Sequence, residues 1–567
     1  MGVTLLYWIY LLCTTLVIGS SFSKWFGYKN SNPFLIPFIG SFMIALLAGL
    51  WAIWGNLGVG FEIVLVVITV VLGISHSSEL STYFFSLKAK IIALPSFSKI
   101  VLTIIAVFAL AQCASAPYII DNESYYIQTI KWLDTYGYVP GLSNFHFFLG
   151  QNSGWHVLQS ALNLNSLSSV LNDINGFYLL IGNAYALDKL NQYQTNKSSL
   201  FLTAGLLPIF NVFLFQFISS PSPDLPIYLI TVILFTEFAM YFIADQKERA
   251  PILLLGFLVI FAVYIKVIAV FLLPLPLLLY LKDKGTFRND ILKIGIVGLL
   301  ALVVFVVKNS IISGYPLYPL AYFKLDTDWA MPLELQQYLV DATKSYAFFI
   351  TPEEYEQMNL IEKVTRWLAL PKLHGIFNKS IVVLLLVFPF LFRQKIFRKP
   401  YLIIYLITVA QLLFLWLTSP QYRFFFGYFI ILFCVLLAQV VKRVGYTKVI
   451  LVLSTMLIAI PLFVPFSLKQ VTDNSFKQEL STFSMSYLLK PHPQTKYPDA
   501  TYKNLNFGNL NYNTPTNIDF FWATGDCELP CIQKQQLMDF KNYFEKAPQL
   551  RTQDLKDGFK SEYFPYE

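Results

Sequence analysis

AQCASAPYIIDNESYYIQTIKWLDTYGYVPGLSNFHFFLGQNSGWHVLQS, residues 111–160, decides how the chain is read. Before it, an uncharged apolar run extends from Val101 to Ile120 and then meets Asp121 and Glu123. After these acids the apolar spacing follows a helix until Gly137 and Pro140-Gly141 interrupt it. A membrane span that surfaces at two acids, ahead of an interfacial helix, has the form of a reaction centre at a membrane boundary. The plainer reading is that Asp121 caps the helix beginning at Asn122, with Glu123 in a first turn that favours negative charge. Capping does not exclude chemistry.

The rest of the composition agrees with a membrane setting. Of 567 residues, 56% are hydrophobic and 13% charged, too apolar for an ordinary soluble domain. The 52 Phe and 34 Tyr suit lipid-facing surface and interfacial belts. The formal charge of +8 needs no nucleic-acid partner, because the Lys and Arg fall largely in short loops between apolar runs. The expectation is a polytopic α-helical membrane protein embedded in a lipid bilayer.

Apolar runs near residues 3–19, 34–54, 57–75 and 100–120 are long enough to span. Lys24 and Lys29 in one loop, and Lys88, Lys90 and Lys99 in another, place both loops in the cytoplasm by the positive-inside rule. The N-terminus and Asp121 are then extracytoplasmic. Further spans are expected near 166–187, 200–219 and 224–243, with Lys189 and Lys197 inside. The run 251–281 is apolar except for Lys266. As one helix it would be roughly 45 Å long against a core of about 30 Å. Its flanks, Lys247-Glu248-Arg249 and Lys282, Lys284 and Arg288, are both basic, so two short helices hinged at Lys266 fit better. A single span would also carry Arg393, Lys395, Arg398 and Lys399 to the outside. Spans near 290–310, 380–392, 400–418, 424–441 and 449–467 complete about fourteen transmembrane helices, with both termini outside.

Three regions follow. Residues 1–99 are additional N-terminal spans. Residues 100–467 are a transmembrane module with outer loops at 121–165 and 311–379. Residues 468–567 shift to Asn, Tyr, Lys, Asp and Thr and form a small extracytoplasmic domain. Cys13, Cys113 and Cys434 sit in apolar runs and read as packed thiols. Cys527 and Cys531 in CELPC read as a disulfide-closed turn rather than a metal knuckle.

Ionisable groups in or beside spans are costly unless paired or functional. Here Asp121, Glu123, Asp173, Asp224, Lys266, Lys308 and Arg423 all fall toward the outer leaflet. Asp224, in SPSPDLP, is also a good helix cap. Lys266, Lys308 and Arg423 could equally snorkel to headgroups. His146 and His156 read first as hydrogen-bonded loop or core histidines. SGYPLYP (313–319), with Tyr315 and Tyr318, forms either an aromatic wall or a rigid loop, and TSPQYRF (418–424) puts Arg423 at a span end. No GxxxxGK[ST], HExxH, GxSxG or GxGxxG pattern occurs in its structural context.

At these residues the chain resembles the GT-C superfamily, integral membrane glycosyltransferases that use polyprenyl-phosphate-linked sugars. The resemblance rests on several short features. They are Asp121 and Glu123 after a span, the Tyr125, Tyr126 and Trp132 helix, VPGL at 139–142, SPSPD ending at Asp224, SGYPLYP, and SPQYR ending at Arg423. It is similar to a bacterial subgroup with extra N-terminal spans and a C-terminal Cys pair. The resemblance implies a bacterial inner-membrane enzyme working on the periplasmic side. Asp121 would be general base on an acceptor hydroxyl, with Glu123 and Asp224 orienting the acceptor or a metal. Lys266 and Arg423 would hold the donor phosphate. Tyr125, Trp132, His146, Tyr315 and Tyr318 would contact substrate. The acceptor would be a glycan, lipid or protein. Some members need a divalent metal, Mg or Mn, and others do not; the acids here form no clear DxD, and the three spans before Ile100 depart from the commoner pattern. The competing expectations are a transporter or flippase of lipid-linked glycans, and a membrane scaffold with an outer binding domain.

Overall fold

The computed structural model describes residues 1–27, 32–166, 173–244, 250–393, 398–465, 467–472, 475–478, 482–520 and 522–564. The expected flanking charges Lys29, Lys247, Glu248, Arg249 and Lys395 lie outside the described residues. Among those described, ten helices are long and apolar enough to cross a membrane. Helices suit this role because each satisfies its own backbone in lipid. The chain is a multi-pass helical membrane protein with a small strand-containing C-terminal region.

Two kinds of span can be told apart by what they bury. In Asp224–Ile243, 78% of the apolar window is packed inside the protein, whereas in Arg288–Ser313 only 22% is, and Ile296, Leu299 and Leu302 face outward. The first is central and the second lies against lipid. Polar side chains on the inner helices turn back onto their own backbone: Thr231 Oγ1 donates to Ile227 O at 2.7 Å and Thr236 Oγ1 to Val232 O at 2.7 Å. The first two helices, Gly2–Phe26 and Ile36–Trp51, cross backbone to backbone at Gly19 and Gly40, where any Cβ would collide with the opposite carbonyl.

Several expected boundaries move, each for a local reason. The loop at 76–99 is largely a helix, Ser77–Ala93, set at 91° to the span Val59–Ser75. The expected span at 166–187 is the helix Asn175–Asn196, whose start is fixed by Asp173 Oδ1 accepting from Asn175 N at 2.8 Å. The span at 200–219 is broken into Ser199–Gly205 and short turns from Leu207 to Phe217, with Pro208 at the break. The span at 380–392 begins earlier, at Lys372, so the long outer loop ends at Pro371. That loop contains the helices Leu333–Tyr346, Pro352–Gln357 and Leu360–Ala369, the last two opened by capping boxes at Thr351 and Asn359. Cys113 and Cys434 are buried, but Cys13 is exposed and is not a packed thiol.

The break at Lys266 separates Ala250–Ile265 from Val267–Leu272 and Pro274–Lys282. Lys266 pairs with Asp224 at the start of Asp224–Ala244, while Lys282 Nζ donates to Phe242 O at 3.1 Å near that helix's other end. The chain therefore runs up to Lys266 and back down again.

One end of the bundle carries Asp121, Asp224, Lys266 and Arg423, and the C-terminal region covers part of it. This region has two antiparallel pairs, Tyr502–Phe507 with Leu510–Pro515 and Lys546–Leu550 with Phe559–Tyr563, and the helix Lys534–Phe544. Cys527 and Cys531 form a disulfide. The N-terminus meets it, Met1 N donating to Tyr487 O at 2.7 Å. The opposite end is tied by Lys24 with Glu79 at 2.8 Å, Lys90 with Asp188 at 2.9 Å and Tyr193 Oη donating to Lys442 O at 2.6 Å.

Candidate functional site

After the helix Ser96–Cys113 the chain runs extended to Tyr118, then turns through Asn122–Tyr126 in wide π geometry before continuing as Ile127–Thr135. Such widened turns are often found at functional positions because they swing one side chain out of the regular ladder. Here Asp121 stands at the mouth of the turn. Its Oδ2 accepts from Arg423 Nη1 at 2.9 Å and from Tyr126 Oη at 3.5 Å.

Arg423 is fixed from several sides. Its Nε donates to Gln421 Oε1 at 3.1 Å, and its carbonyl accepts from Tyr228 Oη at 2.8 Å. The turn before it is braced by the outer loop: Trp367 Nε1 donates to Pro420 O at 2.7 Å and Ser419 Oγ to Thr343 O at 2.8 Å. The second pair, Lys266 with Asp224, lies deeper. Asp224 is 5% exposed and Lys266 25%, against 21% and 34% for Asp121 and Arg423. Lys266 Nζ stands 4.4 Å from the centre of the Phe424 ring, and the Arg423 guanidinium 5.1 Å from it, so both cations lie against one ring. All four charges lie within electrostatic reach of one another. Lys266 itself is a single extended residue between helices, and the carbonyl freed beside it, Ile265 O, accepts from Ser153 Oγ at 2.7 Å.

A second group of polar side chains borders the first. His156, on the helix Gly154–Leu162, is 1% exposed, and neither ring nitrogen has a hydrogen-bond partner. Its ring lies 4.7 Å from that of Tyr126 and 6.1 Å from that of Tyr125. Burial, with Lys308 and Lys266 nearby, pushes its pKa down to about 3, so the imidazole is neutral at physiological pH. Lys308 is 4% exposed and donates to Asn152 O.

The structure therefore brings together Asp121, Asp224, Lys266, Arg423 and Tyr125. The other expected site residues stand apart. Glu123 is fully buried and turned toward the C-terminal region, accepting from Thr495 Oγ1 at 2.6 Å and Lys496 N at 3.0 Å. Trp132 packs on Tyr136, Phe145 and Phe559. His146 accepts from Phe148 N through Nδ1 and faces Trp522. Tyr315 Oη donates to Met331 O and Tyr318 Oη to Phe147 O, inside a separate small core. Asp173 binds Ser219 N and caps its own helix. Among the described residues no three His, Cys, Asp or Glu side chains are grouped to hold a metal. Asp121 and Asp224 each face a cation of the protein itself, so the acids present do not fit a Mg or Mn site. Sequence reading missed Phe424, Gln421, Tyr228 and the buried, unpartnered nitrogens of His156. Only the adjacency of Gln421 and Phe424 to Arg423 offered a signal.

Residues 1–430 match the family described as a domain of unknown function, DUF8201. The chain belongs to this family. The matched stretch of the DUF8201 domain contains all four charges of the site, and the C-terminal region lies beyond it. No curated protein and no solved structure matches the chain.

Proposed function

We propose that this chain is an integral membrane glycosyltransferase of the GT-C type, moving a sugar from a polyprenyl-phosphate donor to an acceptor hydroxyl. The carrying observation is the Asp121–Arg423 pair beside Lys266–Asp224 at one end of the bundle, partly open to solvent. A donor anchored in lipid and an acceptor dissolved in water meet only at such a boundary. A carboxylate for the hydroxyl proton and cations for the leaving phosphate are the groups this chemistry needs.

In the proposed step the acceptor oxygen attacks the anomeric carbon while Asp121 takes its proton. The bond from that carbon to the phosphate oxygen breaks, and the lipid phosphate leaves with the electron pair, inverting the centre. Arg423 and Lys266 offset the charge on the departing phosphate. A phosphate oxygen competing for the Arg423 guanidinium would also loosen its hold on Asp121, freeing that carboxylate to meet the acceptor hydroxyl. No step is assigned to a metal.

The sidedness proposed is extracytoplasmic for the site and both termini, in a bacterial inner membrane. Counting the short and broken helices together with the ten long ones supports about fourteen crossings. The basic residues Lys24, Lys90, Lys189, Lys282 and Lys442 at the opposite end support a cytoplasmic placement there.

The test is turnover in liposomes with a radiolabelled undecaprenyl-phosphate monosaccharide. Release of lipid phosphate that disappears in Asp121→Asn, with the variant folded, supports transfer. Movement of the donor across the bilayer without cleavage would replace the proposal with a transporter.

A further inference from the structure

The charges of the site are unevenly balanced. Arg423 faces Asp121 and Lys266 faces Asp224, so each of these cations has its own carboxylate. Among the described residues Lys308 has no carboxylate partner: its amino group, buried at 4% exposure in the helix Lys284–Ser313, is held by Asn152 O, with the ring of Phe305 at 5.2 Å. A buried lysine with one carbonyl partner retains unspent donors.

The segment that holds it points to what would complete it. Asn152 is followed by Ser153, which caps the helix Gly154–Leu162 by accepting from Trp155 N at 3.0 Å and is tied to Ile265 O. His156 lies in the first turn of that nine-residue helix, where the helix dipole favours negative charge. Among the described residues its two ring nitrogens are buried without partners, and the neutral imidazole carries one N–H donor. A buried donor left unmatched is costly, so this N–H favours an acceptor oxygen beside it. Lys266 and Lys308 are both close enough to act on the His156 ring.

We propose that Lys308, His156 and the start of the helix Gly154–Leu162 form an oxyanion-binding subsite, distinct from the Asp121–Arg423 pair, that takes a phosphate oxygen. Lys308 supplies the charge and the neutral imidazole supplies one N–H. The subsite stands whether or not the chain transfers sugar, because it rests on binding alone.

The experiment is equilibrium binding to the full chain in nanodiscs, with farnesyl phosphate, farnesol and inorganic phosphate as probes. Wild type is expected to bind farnesyl phosphate at least tenfold tighter than farnesol. Lys308→Met is expected to lose that preference, and Lys308→Arg to keep most of it. His156→Gln is expected to weaken farnesyl phosphate binding severalfold. Displacement by millimolar inorganic phosphate marks the source as free phosphate; retention marks it as lipid-borne. Equal binding of farnesol and farnesyl phosphate by wild type overturns the proposal. If Lys308→Met does not fold, His156→Gln decides it, and binding within twofold of wild type overturns it. Loss of sugar transfer with phosphate binding intact would refute the enzyme reading and leave this subsite standing.

Discussion

Arg423 Nη1 lies 2.9 Å from Asp121 Oδ2, although 302 residues of chain separate them. Both side chains are partly exposed, so the pair contributes under about 1 kcal/mol to stability. Asp121→Asn should therefore fold normally while lowering transfer by about 10²–10⁴, the range for removing a general base. Thermal unfolding and turnover measured on the same preparation check this. Normal turnover would remove Asp121 from the base role.

Lys266 and Asp224 form the deeper pair. Lys266→Met would strand a buried carboxylate and should cost about 3 kcal/mol or more. The double variant Lys266→Met with Asp224→Leu should recover most of that stability and still be inactive. A double-mutant cycle on unfolding midpoints, with turnover alongside, tests it. Recovery of turnover would show that the pair is structural only.

Glu123 joins the membrane module to the C-terminal region. Its carboxylate accepts from Thr495 and Lys496, and its carbonyl accepts from Thr524 N at 2.9 Å and Gly525 N at 3.0 Å. Gln128 and Lys131 hold the same stretch through Cys527 O, which the Cys527–Cys531 disulfide closes. Glu123→Ala should release residues 492–497 at a cost of about 1–3 kcal/mol, since Thr495 and Lys496 lose their acceptor, while 523–527 keep the backbone carbonyl of residue 123. Hydrogen exchange should rise in 492–497 and stay low in 523–527. Unchanged protection would mean the docking rests on Phe559 and its ring contacts instead.

Asp134 is half-buried, accepting from Ser160, Asn163 and Asn165, and the water lost around it raises its pKa from 3.8 to about 7. A carboxyl that binds its proton more tightly when folded stabilises at low pH, and that contribution is lost as pH rises from about 4 to about 7. Wild type should therefore lose stability relative to Asp134→Asn, which does not titrate, across that window, and the difference should be flat above it. Unfolding midpoints at half-unit pH steps check the sign. A constant difference would mean the group stays ionised in the fold.

Much of the helical layout was legible because lipid imposes a length and a composition on any crossing segment, and both are local properties. The hinge at Lys266 was legible for the same reason: thirty apolar residues with one charge exceed a single crossing. Boundaries failed where the deciding group lay outside the local pattern, as at Asp173, which sets the start of Asn175–Asn196, and Pro208, which breaks the following segment. Trp132 and Glu123 looked available to substrate because nothing in residues 121–160 reveals that Phe559, Thr495 and Thr524 would cover them.

The sequence by itself determined that this is a many-helix membrane chain, that acids and cations gather at span ends, and that Cys527 and Cys531 are near enough to join. Only the tertiary structure decided which charges meet, that Lys308 has no carboxylate partner among the described residues, and that His156 lies within electrostatic reach of two lysines. Periodicity and composition act over a few turns of helix. The partners of a buried charge are chosen by packing between segments hundreds of residues apart, and no local pattern encodes that choice.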